Sequence, residues 1–180
     1  ITEDPSALDR PGFWAVSVSY EGRWTCARFE KVVDAPFPTS LWDPVTSEWV
    51  SSLNKEKYIS YVEEIRRNIA LGNVYQANAC RVLSAEYRGS IRGLFSELLV
   101  KNPAPYAAYL NVPHLEIASA SPELFLKKSG STITSTPIKG TSRSEEFGEK
   151  DRAENIMIVD LMRNDLSRIC RPGSVATPRL

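Results

Sequence analysis

The chain has 180 residues, 42% of them hydrophobic and 24% charged, enough for one well-cored domain or a large piece of a bigger one. Lys plus Arg and Asp plus Glu both number 22 and are interspersed, which lacks the one-sided basic excess of a nucleic-acid footprint, so no nucleic-acid partner is expected. No apolar stretch approaches the ~20 residues that span a bilayer and no signal segment opens the chain, so no membrane partner and a cytoplasmic location are expected.

In chain order, the alternating run Phe13 to Tyr20 reads as a strand, Glu21-Gly22 as a turn, and Trp24–Phe29 as the hairpin partner. Pro36, Pro38 and Pro44 break the next stretch into a linker, so residues 1–50 read as a β-rich segment with a linker. From Lys55 the period becomes helical: Tyr58, Val62, Ile65 and Ile69 recur every three to four residues, and Gly72 stands where a helix-ending glycine belongs. Arg81–Tyr87 reads as a strand, and Ile91–Lys101 as a helix closed by Pro103. Four short strands are expected at Tyr106–Asn111, Glu116–Ser121, Leu124–Lys128 and Thr132–Thr136, the last two joined by Ser129-Gly130. A long helix, Glu149–Leu166, closes the series; its run Ile156-Met157-Ile158-Val159 predicts burial on more than one side. Helices punctuating antiparallel strands make the class α+β.

Three cysteines, Cys26, Cys80 and Cys170, stand far apart without CxxC spacing, which argues against a disulfide framework and for a reducing compartment. Each reads as a small buried or half-buried residue rather than a nucleophile. The single histidine, His114, lies in an expected loop, so a His-rich zinc site is excluded, as is a Ser-His-Asp triad built on another histidine.

Polar residues next to apolar strands mark three places where chemistry could sit. Ser119-Ala120-Ser121-Pro122-Glu123 is a small, carboxylate-bearing turn between two strands. Thr136-Pro137-Ile138-Lys139-Gly140-Thr141 comes directly after a strand, and its glycine would let a ligand approach the backbone. Asp151 and Glu154, spaced i, i+3, share one face of the last helix and offer hard oxygen donors suited to Mg²⁺. Taken alone, each has an ordinary reading as well: a turn acid, a solvated lysine, and first-turn acids that favour the helix dipole.

Seven segments in order are similar to the chorismate-binding enzyme family, which includes the anthranilate, aminodeoxychorismate, isochorismate and salicylate synthases. They run from Gly72 to Asn78, Asn102 to Tyr106, Ser119 to Glu123, Thr136 to Thr141, Arg152 to Asn155, Val159 to Leu166, and Pro172 to Val175. The resemblance implies that the chain is part of the two-sheet fold of that family, with residues 51–180 as the N-terminal half of its catalytic domain. Anthranilate synthases usually have alanine where Lys139 stands; lysine in Pro137-Ile138-Lys139-Gly140-Thr141 resembles the aminodeoxychorismate synthases, which serve p-aminobenzoate and folate synthesis.

A chemistry comes with that resemblance. It implies that Lys139 attacks C2 of chorismate while the C4 hydroxyl leaves, and that ammonia then enters at C4 and expels the lysine. An ammonium cannot attack, so the reference pKa of ~10.4 must be lowered by desolvation or a nearby cation. By the same resemblance Glu123 supplies the proton for the departing hydroxide. Mg²⁺ on Glu154, with Asp151 nearby, takes a substrate carboxylate that would otherwise be desolvated unpaired. Gly140 and Thr141 offer backbone amides or a hydroxyl to the substrate, whereas Asp160, Arg163, Asn164 and Asp165 hold the helix in place.

Two positions depart from the family pattern. Asp151 stands where Glu is commoner, and its shorter arm points to a water-mediated role; Asn155 replaces a frequent His and is read as chemically neutral. Further metal acids, a Tyr and Arg for the enolpyruvyl carboxylate, and a Gly-rich turn are expected of the family and do not occur within these residues. Both ends of the chain read as cut, so residues 1–180 alone are expected to be inactive. Ammonia would come from a glutamine amidotransferase subunit. Two competing readings are an anthranilate synthase component and a non-catalytic binding fragment.

Overall fold

The computed structural model describes residues 1–138 and 148–178. Among these residues the fold is α+β: three α-helices, a short 3₁₀ turn at Pro5–Asp9, and eight strands arranged as four separate antiparallel pairs. The strands are β1 (Phe13–Val18), β2 (Trp24–Phe29), β3 (Val50–Ser51), β4 (Leu83–Ser84), β5 (Tyr106–Val112), β6 (Leu115–Ser121), β7 (Leu124–Ser129) and β8 (Thr132–Thr136). The helices are α1 (Lys55–Ala70), α2 (Arg92–Lys101) and α3 (Glu149–Ser167).

Local chemistry accounts for most boundaries. The Asn54 side chain accepts the Lys57 N–H at 2.9 Å and starts α1, and Gly72 at φ +74° ends it. The β5–β6 hairpin turns on Pro113-His114. Proline fixes the first turn residue, and His114 takes φ +66° at the second, where the type II turn demands a positive angle. The β7–β8 turn falls on Gly130-Ser131, one residue later than expected, because Ser129 still pairs with Thr132. The strand expected over Arg81–Tyr87 shrinks to Leu83–Ser84, since its partner β3 is itself only two residues long.

Among the described residues the core is small. The well-buried apolar residues are Cys26, Ala27, Phe95 and Val112. Phe95 on α2 meets Phe37 edge-on, with centroids 4.9 Å apart, and stacks on Tyr109 of β5 at 5.6 Å. The proline-broken segment after β2 therefore has no regular structure, as expected, yet it packs. Trp42 lies 5.2 Å from Tyr87, and a Cβ on Gly93 would sit 2.1 Å from the Leu41 carbonyl, so only glycine lets this segment lie on α2.

Elsewhere little is covered. The chain exposes 15026 Å², where a compact monomer of 180 residues exposes about 8,700 Å². The expectation that α3 is buried on more than one side is overturned. The helix holds no buried residue, and Ile156 is 49% exposed. Its apolar run has no second layer among the described residues, so composition alone did not decide its burial. Cys26 is buried and Cys170 half-buried as expected, but Cys80 is exposed, lying outside regular structure. Among the described residues no helix is long and apolar enough to cross a membrane.

Candidate functional site

The Ser119–Glu123 turn connects two hairpins. Ser121 is the last paired residue of β6, opposite Tyr106, and Leu124 opens β7 opposite Thr136. Glu123 is thus held level with the exit of β8. That strand stops at Thr136 because Pro137 has no N–H to continue a ladder. The next backbone donor, Ile138 N–H, gives its hydrogen bond to Glu123 Oε1 at 3.0 Å. Ser121 Oγ closes the turn from the other side, accepting the Glu123 N–H at 3.3 Å and donating to the Glu123 carbonyl at 3.1 Å. Glu123 is exposed and Ser121 half-buried. The structure therefore brings Glu123 against the residue that immediately precedes Lys139. Lys139, Gly140 and Thr141 themselves lie outside the described residues.

From this end a cleft of about 810 Å³ runs between β8 and α3, lined by Thr134, Thr136 and Pro137 on one side and by Asn155, Val159 and Met162 on the other. Its size suits a small-molecule ligand. Asp151 and Glu154 lie in the first turns of α3, both half-buried. Asp151 Oδ2 accepts the Gly148 N–H at 3.3 Å, so this acid caps its own helix. Glu154 Oε1 lies 3.7 Å from Lys150 Nζ, a loose i, i+4 pair beside a mostly solvated lysine. Among the described residues no three His, Cys, Asp or Glu side chains come together as a metal site. The two carboxylates nevertheless supply hard oxygen donors, with Glu154 the less committed of the two, and this donor set fits Mg²⁺. Arg163 pairs with Asp160 within α3 at 3.5 Å, in keeping with a role in the helix.

One cluster escaped the sequence reading. Glu116 on β6 accepts hydrogen bonds from Ser90 Oγ and Tyr109 Oη. Burial alone would raise the carboxyl's pKa, but the hydrogen bonds from Ser90, Tyr109 and the Ile91 backbone outweigh it and hold it below the ordinary value. Ile91 starts α2 without a side-chain cap of its own, so Glu116 supplies the anion at that helix end from the neighbouring strand. Burial, with Asp43 and Glu116 adding negative charge, pushes the nearby Tyr87 phenol upward. The sequence signal was a lone carboxylate in the otherwise apolar run Leu115 to Ala118, facing Tyr109's side of the hairpin.

Among known proteins, the family described as chorismate binding enzyme matches residues 14–180. Aminodeoxychorismate synthase component 1 of Klebsiella aerogenes is 35% identical over 156 residues, covering 79% of this chain and 35% of the relative. The protein of the same name from Escherichia coli (strain K12) is 37% identical over 149 residues, covering 76% and 33%. Anthranilate synthase component 1 of Streptomyces coelicolor is 34% identical over 152 residues, covering 77% and 30%. The chain thus spans about a third of the length of these curated relatives.

Proposed function

This chain belongs to the chorismate-binding enzyme family, and we propose that it converts chorismate to 4-amino-4-deoxychorismate as part of an aminodeoxychorismate synthase. One observation carries the reading: the Glu123 carboxylate is bonded to Ile138, next in sequence to Lys139. An acid at the start of a lysine-bearing loop supplies the two groups that displacement of a ring hydroxyl needs, a nucleophile and a proton donor.

In the first half of the reaction, the free amine of Lys139 forms a bond to C2 of chorismate, both ring double bonds shift, and the C4–O bond breaks. The departing hydroxide takes the proton of Glu123 and leaves as water, and the alkylated lysine passes its extra proton back to the Glu123 carboxylate. Ammonia then bonds to C4, the double bonds shift back, and the lysine nitrogen leaves C2 as it takes the Glu123 proton, which the new C4 ammonium restores. Chorismate and ammonia thus become 4-amino-4-deoxychorismate and water. Glu154, with Asp151 nearby, would hold Mg²⁺, which supplies positive charge for the ring carboxylate. Gly140 and Thr141 would offer an amide or hydroxyl to the substrate. The "component 1" in the relatives' names points to a second subunit, and glutamine-derived ammonia from an amidotransferase partner fits that role.

The test is Lys139→Ala in the full-length protein. Turnover of chorismate and ammonia to aminodeoxychorismate should fall at least ~100-fold, and the wild type should yield a covalent substrate adduct on Lys139 by mass spectrometry. Wild-type turnover to the same product in the alanine variant would remove the nucleophile. Anthranilate as the wild-type product would favour the relationship to the Streptomyces coelicolor protein instead.

A further inference from the structure

We propose that Ser121 is a positioning residue: its hydroxyl locks the Pro122-Glu123 turn so that Glu123 keeps Oε1 on the Ile138 N–H and carries its transferable proton on Oε2. This rests on the reading of Glu123 as the proton donor.

Three hydrogen bonds around Glu123 carry the inference. Ser121 Oγ takes the Glu123 N–H at 3.3 Å and gives its own proton to the Glu123 carbonyl at 3.1 Å, so one hydroxyl fixes both ends of the residue that bears the acid. The third bond, Ile138 N–H to Glu123 Oε1 at 3.0 Å, then fixes the carboxyl group itself. An uncharged carboxyl has one carbonyl-like oxygen that accepts well and one hydroxyl oxygen that donates. Oε1 already accepts an N–H, so it is the carbonyl-like oxygen and the proton belongs on Oε2. When Oε2 releases that proton to the leaving hydroxide, water departs and Glu123 becomes a carboxylate that still accepts from Ile138. The same bond anchors the chain one residue before Lys139, so acid and lysine loop share a single anchor. Proton transfer depends on sub-ångström placement, and losing the clamp costs orientation rather than binding.

Ile138 is itself half exposed, and Glu123 is the acceptor that shields its amide, so amide hydrogen exchange at Ile138 reports the clamp directly. In the full-length protein, Ser121→Ala and Glu123→Ala should speed that exchange about 10-fold. Glu123→Gln keeps a carbonyl acceptor, Ser121→Thr keeps the hydroxyl, and both should leave it as in the wild type. Should Ser121→Ala not fold, Ser121→Cys, close in volume and weak in hydrogen bonding, is read the same way. In kinetics, Ser121→Ala should lower kcat about 10-fold with KM unchanged, and Ser121→Thr should restore it. Unchanged Ile138 exchange in Ser121→Ala overturns the positioning role alone. Full turnover in Glu123→Gln overturns the acid assignment and, with it, the proton on Oε2.

Discussion

The segment from Phe37 to Val112 and the segment from Leu124 to Ser167 solve opposite problems. In the first, a ten-residue helix, α2, whose first N–H is met by the Ser90 hydroxyl, buries Phe95 between Phe37 and Tyr109 and borrows an anion from β6. In the second, the longest helix among the described residues holds half-buried but no fully buried side chains, and Phe125 on β7 is 80% exposed. Yet the second segment, with the turn just before it, holds every residue put forward for chemistry: Glu123, the Lys139 loop, Asp151 and Glu154. Stability and candidate function are therefore spatially separable. A run of apolar residues within a helix does not by itself settle burial; what matters is whether a neighbouring element covers it.

The sharpest way to break that contrast is to cut one aromatic ring from each side. Phe95→Ala removes a buried ring from a packed cluster and should destabilise the protein by about 3–5 kcal/mol. Phe125→Ala removes a ring already in solvent and should stay within about 0.5 kcal/mol. Urea unfolding of both variants decides the matter; comparable losses would mean that the β7–β8 hairpin is covered in solution.

A smaller effect should sharpen the functional side. Glu154 is the less committed carboxylate of α3, whereas Asp151 spends one oxygen on the Gly148 amide. Glu154→Gln should therefore raise the Mg²⁺ concentration for half-maximal activity by about 10-fold, and Asp151→Asn by less. Asp151→Asn should instead lower the helix content of α3's first turn, visible by circular dichroism. Equal or reversed metal effects would exchange the two assignments.

The legibility of the sequence divides in the same way. Segments with strict period two or 3.6 and a chemical stop, such as Trp24–Phe29, Lys55–Ala70 and Thr132–Thr136, appear where periodicity placed them. Burial was not legible for α3, because a 19-residue helix reads alike whether or not another layer covers it. The packing of Phe37 and Trp42 was hidden by prolines, which mark irregular backbone but say nothing of what the side chains touch. In the site, motif residues named Glu123 and the lysine loop. Their meeting through Ile138 depends on the hairpin registers that bring Leu124 opposite Thr136. The role of Glu116 stayed hidden for a related reason: its partner Ser90 is 26 residues away, and Tyr109 reaches it only through the β5–β6 register.

The smallest effect concerns that tether and returns to the packed side. The folded-state pKa of Glu116 lies below its ordinary 4.5, burial being outweighed by the hydrogen bonds from Ser90, Tyr109 and Ile91. A depressed carboxylate pKa contributes stability that is present above the unfolded value and lost as pH falls through the folded one. The contribution should therefore be full at pH 6, begin to fade near 4.5, and be gone only below the folded pKa. Glu116→Gln keeps the size of the side chain but cannot offer an anion to the start of α2, so its melting temperature should lie about 2–4 °C below wild type at pH 6. Once the pH has fallen below the folded pKa the two proteins should converge, because the wild-type carboxyl is then protonated as well. The comparison isolates the tether from general acid sensitivity, since every other titrating group is common to both proteins. Parallel melting curves from pH 6 down through the folded pKa would show that α2 does not need Glu116 and that Phe95 alone holds it to the β5–β6 hairpin.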